Sequence, residues 1–150
     1  MPEPTSELLT DILGTVLQES AFIFAEPEEE PTEWPPPVLV ARIAFESTRG
    51  GALRVVTNLR AAAEIAANML GIDPGPEADE QARSAVSELL NVLGGAFLVR
   101  YFGTAVPSQL GLPSTDVLEA APTSHRTCIA SVRLESGEPV VLELDLEERK

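Results

Sequence analysis

Two stretches of strand-like alternation, each doubled back by a turn, constrain the fold of this chain most. Residues 38 to 46, VLVARIAFE, place Leu39, Ala41, Ile43 and Phe45 on one side. Arg49-Gly50-Gly51 supplies a flexible turn, and residues 52 to 57, ALRVVT, return with Leu53 and Val55 on one face. Near the end, residues 127 to 134, TCIASVRL, and 139 to 146, PVVLELDL, flank Glu135-Ser136-Gly137-Glu138, a second hairpin signal. Strands joined by so few residues run antiparallel, because a parallel pair needs a long crossover.

Helical patterns fill the space between. Leu8, Leu9, Ile12, Leu13, Val16 and Leu17 recur at helical spacing and mark an amphipathic helix over 6–19, with Thr5 or Ser6 as its cap. Asn58 is placed to cap a helix over about 59–70, and Gly71 suits its exit. Asp73-Pro74-Gly75-Pro76 then breaks the chain. A long helix is expected from about Glu77 to Tyr101, with Ala82, Ala85, Leu89, Val92, Leu93 and Ala96 on its buried face. Gly94 and Gly95 interrupt it, marking either a bend or a close approach by another backbone. Residues 103 to 124 read as loop-rich, with a short strand near Ser108 to Leu112.

Taken together, the order is helix, two strands, two helices, then more strands. That predicts one α+β domain over residues 1–150, a largely antiparallel sheet with helices packed on one face. The acidic, proline-rich stretch 26–37, EPEEEPTEWPPP, reads as a surface loop, since its prolines exclude a helix interior or central strand. Within it, Trp34 is placed to pin the loop to the domain, the commoner arrangement, or to a partner.

Composition limits the partners. With 24 acidic and 10 basic residues the net charge is -14, so a nucleic-acid backbone or an anionic membrane surface would repel the chain. No uninterrupted apolar run approaches the roughly 20 residues that span a bilayer, and the N-terminus has no basic leader, so a cytoplasmic protein is expected. The single cysteine, Cys128, cannot form an internal disulfide and reads as a small apolar residue in a strand. His125, the only histidine, reads as a surface loop residue and is a poor metal-ligand candidate.

One stripe on the long helix carries possible chemistry. Ser84, Glu88 and Asn91 lie at i, i+4 and i+7, within about 60° of one another at roughly 100° per residue. Gly95 continues the stripe and removes side-chain bulk there. A carboxamide both donates and accepts hydrogen bonds and so can orient a water molecule. A carboxylate one turn earlier can pair with a partner's ammonium group. Phosphoryl hydrolysis needs chiefly an in-line water and charge stabilisation, so an exposed stripe of this kind could complete a site that another protein supplies. A Glu and an Asn three apart on a solvated helix are common, however, and spacing alone assigns no function.

The stretch Ser84-Ala85-Val86-Ser87-Glu88-Leu89-Leu90-Asn91-Val92-Leu93-Gly94-Gly95 resembles the signature helix of the CheC/CheX chemotaxis phosphatases. In that pattern an Asp or Ser is followed by three residues, a Glu, two residues and an Asn, with a proline downstream. Ser84, Glu88 and Asn91 match it position by position, and Pro113 matches the downstream proline at a spacing about one residue short. Ile43-Ala44-Phe45, Gly50-Gly51-Ala52-Leu53 and Ala66-Ala67-Asn68-Met69-Leu70-Gly71 resemble the family's earlier hairpin and first core helix, so the likeness covers about 6–146. Glu46 stands where many relatives have glycine. The lone Glu-x-x-Asn motif resembles the CheX branch rather than the CheC branch, which typically carries two.

This resemblance implies a phosphatase acting on the aspartyl phosphate of a CheY-type response regulator. It implies that Asn91 positions the attacking water, that Glu88 pairs with the partner's active-site lysine, and that Ser84, Gly95 and Pro113 support them. The chain would need no cofactor of its own, the Mg2+ ion belonging to the response regulator. A homodimer joined at sheet edges is also implied. The alternative is a non-catalytic binding module of the same fold, holding a receiver domain or a flagellar or signalling component.

Overall fold

In the computed structural model, the described residues are 3–28, 36–71, 78–121 and 126–147. The helix α1 spans Ser6–Ala21, and the Thr5 side chain accepts a hydrogen bond from the Leu8 backbone N–H at its start. A short strand β1, Ala25–Pro27, follows. The first hairpin is β2, Val38–Glu46, and β3, Gly50–Asn58, and α2 occupies Leu59–Leu70. The helix α3 runs Ala78–Phe97 and continues as a π-helical turn, Leu98–Phe102. Strands β4, Gln109–Leu110, and β5, Ser114–Leu118, precede the second hairpin, β6, Cys128–Leu134, and β7, Pro139–Leu146.

All seven strands form one sheet in the order β1-β6-β7-β3-β2-β4, and β5 also pairs with β2. Every pairing is antiparallel. The two hairpins meet along β3 and β7, so the strands read from sequence make the centre of the sheet. Leu39, Ala41, Ile43 and Phe45 of β2 enter the main core together with the buried faces of all three helices, whereas Val38, Val56 and Val141 form a small cluster of their own. The α+β architecture with helices on one face is therefore as expected. On the other face the carboxylate of Glu143 is held between Arg54 and Arg126 and is buried there. Removing either charge type from such a group would leave a buried ion without its partner.

Capping confirms the reading of α2. The Asn58 side chain accepts from the Ala61 N–H at 2.8 Å and donates to Glu138 at 2.6 Å, while Gly71 closes the helix with φ 66°. Both capping signals are local, which is why they were legible.

Four expectations need correction. Ala25–Pro27 is a strand and not loop; Pro27 is tolerated because β1 lies at the sheet edge and, among the described residues, pairs only with β6. Residues 114–118, expected as loop, pair with β2 as β5. Gly50 and Gly51 belong to β3 and not to the turn; a Cβ on Gly51 would sit 2.5 Å from the Asp145 carbonyl oxygen, so no side chain fits. Finally, Val92 is 38 % exposed, and Val86, Leu90 and Phe97 hold the buried positions beside Leu89 and Leu93. Trp34, Asp73-Pro74-Gly75-Pro76 and His125 lie outside the described residues.

Asp79–Phe102 is long and apolar enough, by length and composition, to cross a membrane, with mean hydropathy 1.3; half of that window is buried inside the fold. Its apolarity serves the core. Phe97 is fully buried, with its ring 5.5 Å from Phe45 and stacked on Tyr101 at 5.5 Å. The Cys128 thiol is half-buried, and burial pushes its pKa up to about 11, so it stays protonated and inert.

Candidate functional site

The helix α3 packs its Leu89/Leu93/Phe97 face into the core and turns the opposite stripe outward. Ser84 and Glu88 are exposed, and Asn91 and Gly95 are half-buried. Asn91 is thus less open than the sequence suggested. The helical wheel explains this: from Glu88 to Asn91 to Gly94 the stripe rotates by about 60° at each step. At Gly94 the Leu110 side chain lies against the helix, where an added Cβ would be 2.7 Å from its Cδ1. Asn91 therefore leans toward the flank that β4 approaches. The close approach foreseen at the glycine pair is real for Gly94, and it comes from a side chain rather than a backbone. Nothing lies within 4 Å of a Cβ added at Gly95, so that position is open. The helix passes through both glycines and departs from α geometry only at Leu98.

None of Ser84, Glu88 and Asn91 has a side-chain hydrogen bond or ion pair with another described residue. A carboxylate and a carboxamide one turn apart are thus free to meet an incoming group. Two cavities, of about 620 and 300 Å³, are lined by α1 with β1 and by β2, β3, β4 and β7, and neither includes the stripe. Enzymes that build a whole site themselves generally do so in a cleft. The stripe lies outside both of these cavities, and its unengaged polar side chains suit insertion into a partner's cleft. Among the described residues no three His, Cys, Asp or Glu side chains come together as a metal-binding group.

Pro113 lies three residues past Leu110, which packs at Gly94, and two past Gly111, whose N–H donates to the Ala44 carbonyl at 2.8 Å. It is half-buried. The fold therefore brings the segment carrying Pro113 alongside the helix carrying Glu88 and Asn91, although over 20 residues of chain separate them.

The family model for chemotaxis phosphatase CheX matches residues 39–133. The chain belongs to the CheX family. The matched span takes in Ser84, Glu88, Asn91, Gly95 and Pro113. This CheX-family chain is similar in fold to a chain of the CheX–CheY–BeF3–Mg2+ complex from Borrelia burgdorferi, with a TM-score of 0.75 at 14 % identity, covering 97 % of this chain and 99 % of that one. It is similar to the chemotaxis protein CheX of Desulfovibrio desulfuricans, with a TM-score of 0.75 at 19 % identity over 95 % and 98 % of the two chains. A more distant likeness is to Thermotoga maritima FliY, at a TM-score of 0.57, 15 % identity and coverage of 93 % and 88 %. No curated protein was found to match.

Sequence reasoning found the stripe but missed its surroundings in the CheX-family fold. Leu110 at Gly94 and the 92 % exposed Leu112 gave no local signal, because their positions follow from pairing with β2.

Proposed function

We propose that this CheX-family protein hydrolyses the aspartyl phosphate of a CheY-type receiver by inserting the Glu88/Asn91 ridge of α3 into the partner's active site. The observation that carries this reading is the pair of unengaged side chains, one carboxylate and one carboxamide, a turn apart on one stripe of α3. The Asn91 carboxamide accepts from and donates to a water, and holds it in line with the phosphorus. Glu88 pairs with the receiver's active-site lysine, which fixes the depth and register of docking. Ser84 supports the N-terminal end of the ridge, Gly95 leaves room for the partner's backbone, and Pro113 stiffens the adjoining segment. Any magnesium ion belongs to the receiver. The likeness to the Borrelia burgdorferi complex, formed with CheY, beryllium fluoride and Mg2+, supports the choice of partner.

Replacing Glu88 by alanine should weaken docking and turnover together. Losing an interfacial charge pair should raise KM by about tenfold, roughly 1.4 kcal/mol, with a smaller loss in kcat. Phosphate release from a phosphorylated cognate receiver, followed over a range of receiver concentrations, measures both. An unchanged KM in the Glu88→Ala variant would remove the lysine-pairing role.

The protein is also proposed to be a homodimer joined at sheet edges. Among the described residues β1 ends the sheet on one side and β4 and β5 on the other, and sheet edges are where strands of two copies can pair. Light scattering should give about twice the 16.0 kDa monomer mass; a monomeric mass at working concentration would contradict the dimer.

A further inference from the structure

We propose that Leu112 is an apolar anchor on which the receiver seats, set beside the Glu88/Asn91 ridge by a bulge in the sheet edge; this rests on the receiver reading given above. Leu110 is opposite Phe45 and Ser114 is opposite Arg42, so four steps along this strand run against three along β2. One residue is in excess, the arrangement of a β-bulge, which bends an edge and re-aims a side chain. Both ends of the bulge are pinned by ladder pairing, and the Gly111 N–H is tied to the Ala44 carbonyl at 2.8 Å. Pro113 fixes its own φ next to it. Leu112 is therefore held out, not left on a loose loop, and it is 92 % exposed.

Its place relative to the ridge follows from Leu110. That side chain touches α3 at Gly94, one turn beyond Asn91, and Leu112 is two residues further along, about 7 Å in extended chain. On the other flank of the ridge Val92 is 38 % exposed, about 160° around the helix from Gly94. The polar ridge thus runs between two exposed apolar side chains. An interface of ordinary size covers about 800 Å² on each partner, a patch roughly 16 Å in radius. A patch of that size centred on Asn91 takes in Gly94 and the Leu110 side chain against it and extends toward Leu112. Large apolar side chains near the centre of such a patch carry much of the affinity.

Charge selects the occupant. Glu88 and the exposed Glu80 lie on the outward side of α3, in a chain of net charge -14. A second copy would set like charges face to face, whereas a partner offering an ammonium group at the centre complements the surface.

The test uses the full chain and a cognate receiver activated with beryllium fluoride, with binding followed by calorimetry. Leu112→Ala and Leu112→Asp should weaken binding by about tenfold or more, while Leu112→Met, which keeps the apolar bulk, should restore it. With phosphorylated receiver the loss should fall on KM and not on kcat, unlike that of an Asn91 variant. If the parent binds and dephosphorylates the receiver but the Leu112 variants bind equally well, the anchor is wrong and the phosphatase reading stands. If the variants lose self-association in place of receiver binding, the face joins copies of this chain and the proposal is overturned. If the parent binds no activated receiver, the receiver reading fails and the anchor fails with it.

Discussion

Alanine at Asn91 should abolish accelerated dephosphorylation while leaving the fold unchanged. The side chain is half-buried and bonds to no other described residue, so its removal leaves no orphaned partner inside the protein. What is lost is the group that holds a water in line with the phosphorus, and no neighbouring side chain on the ridge repeats a carboxamide. A loss of tenfold or more is expected, at least about 1.4 kcal/mol of barrier. Because the effect falls on positioning in the transition state, kcat should drop while KM stays close to the parent's. Glutamine lengthens the reach by one methylene and should recover little. Ser87, about 100° from Glu88 around the helix, should tolerate alanine with much less effect. Stopped-flow or radiometric decay of a phosphorylated receiver distinguishes these outcomes, and circular dichroism checks that each variant is folded.

Truncating Phe97 to alanine should be the most destabilising single change in α3. The ring is fully buried and lies within 5.5 Å of Phe45 and Tyr101 and 6.1 Å of Phe102, by centroid distance. Removing it opens a cavity where α3, the π turn and β2 meet. Phe→Ala changes of this kind cost about 3–5 kcal/mol. For a domain of this size that lowers Tm by roughly 10 °C. Thermal melts followed by circular dichroism measure the shift directly. Leucine at the same position should lose much less, since most of the volume is kept. A Phe97→Ala variant that melts with the parent would show that the π turn repacks to fill the space.

The two hairpins and α2 were legible because their signals are local. Period-2 alternation identified β2, β3, β6 and β7, and Asn58 and Gly71 bracketed α2 within a residue. By contrast, β5 and β1 exist through partners far along the chain. Ser114–Leu118 is a strand because it lies on β2, and Ala25–Pro27 because it lies on β6. The chemistry-bearing stripe was legible from spacing, since helical geometry alone puts Ser84, Glu88 and Asn91 together. Which flanks it has was not. Val92 was assigned to the core because it follows the apolar run, yet the core is centred on Leu89, Leu90 and Leu93. Asn91 is half-buried, and Leu110 meets the helix one turn on, at Gly94, a contact between residues 16 positions apart.

The most direct test of the central claim is multiple-turnover dephosphorylation. A cognate receiver, phosphorylated and in large excess, is mixed with a catalytic amount of the parent chain, and phosphate release is followed. The expected result is a rate that is proportional to the amount of chain added, saturates with receiver, exceeds the receiver's own decay through many turnovers, and is lost with Asn91→Ala. Binding of the phosphorylated receiver without any acceleration of its decay would contradict the phosphatase and leave a binding module in its place.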